Sequence, residues 1–110
     1  MEKKVTRSDF DMILKKGKNI YSPLLSFKYI FLDNSVSSRF SFVISGKVAK
    51  RAVDRNLFKR RGRHIVRKVK DDIQKGFIGA FFAKKGVINV SFIEMEKEVN
   101  SLLKRAGVLL

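Results

Sequence analysis

Between Lys47 and Lys70 the chain gathers eleven Lys or Arg residues against a single acid, Asp54. Spaced at about 100° per residue, this segment reads as a helix with Phe58, Ile65 and Val69 in one narrow stripe. Asn56, Lys59, Arg60, Arg63, Arg67 and Lys70 fall together on the opposite side. Such a helix must bury its stripe against a core supplied by the rest of the chain, which leaves a long cationic face in solvent. Ion pairs within the helix cannot neutralise that face. Like charges at i, i+4, such as Arg51, Arg55 and Lys59, cost a few tenths of a kcal/mol each. A polyanion would offset the cost. The whole chain points the same way, with 25 Lys plus Arg against 10 Asp plus Glu and a formal charge of +15, so nucleic acid is the first partner to consider.

The core must come from the flanking segments. A length of 110 residues, 45% hydrophobic with ten Phe, suits a single domain spanning 1–110. From Thr6 to Lys16, Phe10, Ile13 and Leu14 recur at helical spacing. Ser8 or Thr6 can cap that helix, and Gly17 suits a left-handed residue after its end. Lys18 to Leu32 has strand chemistry, with the odd positions 25 to 31 facing one way and Pro23 dividing a short strand from a longer one. The turn formers Asp33-Asn34-Ser35 and Ser37-Ser38 precede the alternating Phe40, Phe42 and Ile44, which predicts a hairpin. Phe77 to Ala83 is an apolar run suited to a strand covered on both faces. Ser91 to Glu94 reads as a capping box that opens a C-terminal helix through Met95, Val99, Leu102, Leu103 and Ala106. The resulting α/β order is α-β-β-β-α-β-α.

Several chemistries are excluded by residue type. No Cys is present, which removes disulfides, thiol catalysis and Cys-ligated zinc, and the single His64 cannot build a histidine metal site. His64 is expected to be a partly exposed helix residue. Asp71 and Asp72 are adjacent, so on a helix their side chains diverge. No catalytic residue and no metal ligand are therefore expected in the chain. No stretch of 18 apolar residues occurs, and Met1-Glu2-Lys3-Lys4 leads into no apolar run. The expectation is a cytoplasmic protein without membrane association.

The order of residues narrows the partner. Ser45-Gly46-Lys47-Val48-Ala49-Lys50-Arg51 followed by Arg55-Asn56-Leu57-Phe58-Lys59-Arg60-Arg61-Gly62-Arg63 closely resembles the signature of the protein subunit of bacterial ribonuclease P. Lys47, Arg55, Asn56, Lys59, Arg60 and Arg63 match in register, with Phe58 in the apolar slot. Asp9-Phe10 with Gly17, Arg39, Ala83-Lys84 and the helix start near Phe92 extend the resemblance over nearly the whole chain. Leu57 stands where the family usually has an Arg, Gly46 replaces a Lys, Ser41 replaces a Gly, and Leu14 sits where an aromatic is common. Gly62 and His64 also depart from the pattern, and Gly62 marks a point where the helix could fray or kink.

The resemblance implies a two-layer α-β sandwich with a small mixed sheet and a left-handed βαβ crossover, against the general right-handed rule. It implies a role in removing the 5′ leader from precursor tRNA, with Mg²⁺ bound mainly by a catalytic RNA subunit. Partners would be that RNA subunit and precursor tRNA, with no obligate protein partner and no organic cofactor. Lys47, Lys50, Arg51, Arg55, Asn56, Lys59, Arg60, Arg63 and Arg67 would bind the RNA. Phe10, Ile13, Leu14, Phe27 and Tyr29 would line a cleft for the single-stranded leader, because unpaired bases stack on aromatic faces. Phe residues on a helix stripe or strand are also the usual material of a core. On chemistry alone, a ribosomal or other structural RNA-binding protein would share the charge and size. A DNA-binding module is the other reading, although the basic helix carries only Asn56 as a good base reader.

Overall fold

The computed structural model describes residues 4–110, and the elements follow the expected order. Helix α1 spans Arg7–Lys16, β1 Lys18–Tyr21, β2 Leu25–Phe31 and β3 Arg39–Val43. They are followed by α2 at Ala52–Lys68, β4 at Phe77–Ala83 and α3 at Phe92–Arg105. Thr6 caps α1 reciprocally: its hydroxyl oxygen accepts from the Asp9 N–H, and the Asp9 carboxylate accepts from the Thr6 N–H, both at 3.0 Å. At α3 the Ser91 hydroxyl oxygen accepts from the Glu94 N–H at 3.2 Å. Gly17 closes α1 with φ of −70° rather than in the left-handed region. A Cβ there would lie 2.5 Å from the Ile13 carbonyl oxygen and 2.9 Å from the Lys28 side chain. Close approach, and not a positive φ, is what calls for glycine at this position.

The four strands form one mixed sheet in the order β1-β2-β4-β3. β1 with β2 and β2 with β4 are antiparallel, while β3 and β4 are parallel and joined through α2. The hairpin expected between β2 and β3 does not form, because β4 lies between them. Turn formers release the chain from a strand without choosing its next neighbour. Ile78, Gly79, Ala80 and Phe81 are all buried, and a strand apolar on both sides gains most from a central place with both faces covered. In the connection after β2, the Asp33 carboxylate accepts from the Ser35 N–H and hydroxyl. Those bonds hold its pKa below the ordinary carboxylate value.

Strand alternation divides the core in two. On one face Phe27, Phe81 and Phe42 stack across three strands, with centroids 4.2 Å apart for Phe27 and Phe81 and 4.9 Å for Phe42 and Phe81. This face packs against α2 and α3 through Phe58, Ile65, Met95, Val99, Leu102 and Leu103. The result is a two-layer sandwich of sheet on helices. The reverse face carries Lys28, Arg39, Ile78, Ala80 and Phe82 and is partly covered by α1. There Ile13 is fully buried, Phe10 meets Phe82 at 6.0 Å, and Asp9 pairs with Arg39 at 3.3 Å.

Gly62 neither frays nor kinks α2, which runs unbroken through it. The residue is buried where the helix meets β3, and a Cβ would fall 2.3 Å from the Phe42 ring. An exposed helix glycine changed to Ala would add up to about 1 kcal/mol of stability. Here overpacking costs about 1 to 3 kcal/mol, so Gly62→Ala is expected to lower stability. A higher urea midpoint for this variant would mean that α2 does not press on Phe42 as described.

Candidate nucleic-acid interface

Burial of Phe58, Gly62 and Ile65 fixes which side of α2 turns outward. Asn56, Arg60, Arg63 and Arg67 are exposed on that side, and Lys59 is half-buried at its margin. Lys47, Lys50 and Arg51 precede the helix and are also exposed. They stand beside the positive end of the helix dipole, which adds to their attraction for anions. Arg51 shares part of its charge with Asp54 at 3.5 Å. The structure therefore gathers eight of the nine expected RNA-binding residues along one edge of the molecule.

Arg55 is the departure. It is half-buried, and its Nη1 donates to the carbonyls of Ala49 and Lys50, each at 2.8 Å. The same segment is folded by the Val48 and Ala49 N–H groups donating to the Ser45 carbonyl at 3.1 Å. Arg55 thus ties down the turn that carries Lys47 and Lys50, a task that motif matching does not distinguish from phosphate binding. Arg61, one of three cations of this segment left out of the expected set, also works inward: its Nη1 donates to the Val90 carbonyl at 3.4 Å.

The expected cleft lies on the α1 side of the sheet, and strand parity corrects its membership. Phe27 is fully buried in the aromatic stack, and Tyr29 stacks on it at 5.1 Å on that same face. Both point toward α2 and α3, away from α1. Ile13 is likewise fully buried, so it offers no surface to a base. The alternation of β2 was legible, but which parity faces α1 depends on partners that only the assembled sheet supplies. Phe10 and Leu14 remain on the cleft side, with Leu14 exposed.

A groove of 390 Å³ opens here between the start of α1 and β3, lined by Thr6, Arg7, Phe10, Ser41, Val43 and Lys59 among others. Phe82 borders it through Phe10. Arg7, Val43 and Phe82 carried no local signal as cleft residues. Val43 and Phe82 face one another across the parallel β3–β4 pair, a register that sequence alone does not disclose. Lys59 belongs to both surfaces, since it sits on the margin of the basic face and also lines the groove. Among the described residues no three His, Cys, Asp or Glu side chains converge as a metal site, and no helix is long and apolar enough to cross a membrane.

The family model described as Ribonuclease P matches residues 3–107. The ribonuclease P protein component of Microcystis aeruginosa is 31% identical over 106 residues, covering 94% of this chain and 88% of its own. That of Syntrophomonas wolfei is 31% identical over 105 residues, covering 94% and 85%. Among solved structures, the ribonuclease P protein of Thermotoga maritima superposes with a TM-score of 0.80 at 30% identity, covering 90% of this chain and 92% of its own. The Staphylococcus aureus protein shares the fold with a TM-score of 0.85 at 21% identity, covering 97% of each chain. With family signature, sheet order and helix placement in agreement over nearly its whole length, the chain belongs to the ribonuclease P protein family.

Proposed function

We propose that this chain is the protein partner of a catalytic RNA, docking on it through the exposed face of α2 and holding the 5′ leader of precursor tRNA in the groove beside α1. The observation that carries this reading is Lys59, which joins the basic face to the groove. Phosphate contacts from Arg60, Arg63, Lys47 and Lys50 would orient the protein on folded RNA without reading sequence. A single strand leaving the cleavage point could then pass Lys59 and meet Phe10, where bases stack with little sequence demand. The difference between precursor and mature tRNA is that strand, so the groove would favour substrate over product.

In this reading the chain itself contributes no catalytic group to phosphodiester hydrolysis. Its described residues do not fit a Mg²⁺ site, since no carboxylate cluster is present. In this reading the ion belongs to the RNA subunit, and the protein contributes positioning. Work on newly made tRNA would take place in the cytoplasm.

Reconstitution tests the proposal. Added to ribonuclease P RNA at low Mg²⁺, the protein is expected to accelerate leader removal and to tighten precursor tRNA more than mature tRNA. Protein freed of RNA by exhaustive nuclease treatment is expected to cleave nothing. Cleavage by the protein alone, or equal affinity for the two tRNA forms in its presence, would overturn the reading.

A further inference from the structure

A second groove, of 300 Å³, opens where the start of α2 meets the connection from β4 to α3. Val48 and Ile88, which pack on the core, give it an apolar floor, and Lys50, Asp54, Lys85 and Asn89 also line it. The volume is at the small end of ligand-binding cavities, enough for a single nucleotide. Asp54 and Lys59 stand about 140° apart around the helix, so this groove and the one beside α1 open on different flanks of α2.

Both sides of the groove are held in place. Before α2, Arg55 Nη1 donates to the Lys50 carbonyl at 2.8 Å. Opposite, the Asn89 N–H donates to the Gly86 carbonyl at 3.1 Å, in a turn where Gly86 takes a φ of 97°. The side chains of Lys50, Lys85 and Asn89 are exposed and make no ion pair or hydrogen bond with the described residues.

Asp54 is the anomaly. It is the one acid beside the eleven cations from Lys47 to Lys70. Its Oδ2 lies 3.5 Å from Arg51 Nε, a pair in which the Arg side chain is 75% exposed and therefore weakly held. An acid in the first turn of a helix is favoured by the dipole, but on a surface that docks on RNA it also repels the partner. That repulsion is offset where the carboxylate meets donors on a base. Guanine presents two adjacent donors, N1–H and N2–H, on its pairing edge, and one carboxylate accepts from both. Adenine and cytosine set a lone pair beside their amino group, and uracil flanks its one N–H with two carbonyls.

We propose that this groove takes one unpaired guanine of the RNA subunit. Asp54 accepts from its N1–H and N2–H, Asn89 donates to its O6, and Lys50 and Lys85 hold the neighbouring phosphates. Arg51 exchanges Asp54 for a phosphate as the base enters. The proposal rests on the docking reading given above and adds one base-specific contact to a surface that otherwise meets phosphates.

Asp54→Asn separates the two roles of the acid, because they differ in sign. Removing a negative charge that only repels RNA tightens binding, whereas removing a carboxylate that holds guanine weakens it about tenfold to a hundredfold. Weaker binding to the RNA subunit is the expected result, with the slope of log K against log salt unchanged because no phosphate contact is lost. Kethoxal, which modifies N1 and N2 of unpaired guanine, supplies a second readout. Wild-type protein is expected to protect one guanine of the RNA subunit that stays reactive when Asp54→Asn protein saturates the same RNA. Asn89→Ala alters an exposed side chain outside α2 and is expected to expose the same guanine with Tm unchanged. Unchanged or tighter binding by Asp54→Asn, or the absence of a guanine whose protection depends on Asp54 and Asn89, overturns the guanine site and leaves docking through α2 in place. Wild-type protein that does not bind the RNA subunit would remove the docking reading and this proposal with it.

Discussion

Phe27→Ala is expected to lower the stability of the protein by about 3 to 5 kcal/mol and to depress RNA docking and leader discrimination together. The ring has no exposed surface and stands between Tyr29 and Phe81 in the stack, so its removal leaves a cavity that neighbouring strands cannot close. Gly79, on the adjacent strand, has no side chain to fill it: even a Cβ there would lie 2.6 Å from the Phe27 ring in the intact protein. For a domain whose total stability is about 5 to 15 kcal/mol this is a large fraction. A fall in Tm of about 12 °C or more follows from the scaling for small domains. Calorimetry beside the two tRNA affinities checks the expectation. An unchanged Tm with selective loss of precursor tRNA would return Phe27 to the leader cleft.

The opposite profile is expected for the basic face. Lys47, Arg60 and Arg63 are exposed and make no ion pair or hydrogen bond with the described residues. Replacing all three by Ala removes no core atom and relieves like-charge repulsion, so Tm should stay level or rise slightly. Affinity for the RNA subunit should fall about a hundredfold or more, if each lost phosphate contact contributes about 1 kcal/mol. Salt dependence supplies an independent readout. The slope of log K against log salt should become shallower by about 2 to 3, at 0.7 to 0.9 per phosphate. A slope identical to that of the wild type would mean that these residues do not touch phosphate. Phe27 and the basic triple therefore separate the core from the interface by opposite pairs of observables.

The element order, the capped ends of α1 and α3, the outward face of α2 and the central character of β4 were all legible in the sequence. Each depends on neighbours a few residues apart, or on a periodicity that burial imposes on one element at a time. The family signature was legible too, because it lies in one continuous stretch from Ser45 to Arg63. What only the tertiary structure decided concerns pairs of elements. The insertion of β4 between β2 and β3 turned an expected hairpin into a crossover. That insertion fixed the parity that sends Phe27 and Tyr29 to the core. Gly62 could be read as a weak point in a helix until Phe42 was found beneath it. Arg55 could be read as one more phosphate ligand until its guanidinium was found on the carbonyls of its own turn. A local pattern states that a residue is apolar, cationic or flexible. Which surface it meets is set by contacts between distant segments, whose free energy no single segment carries.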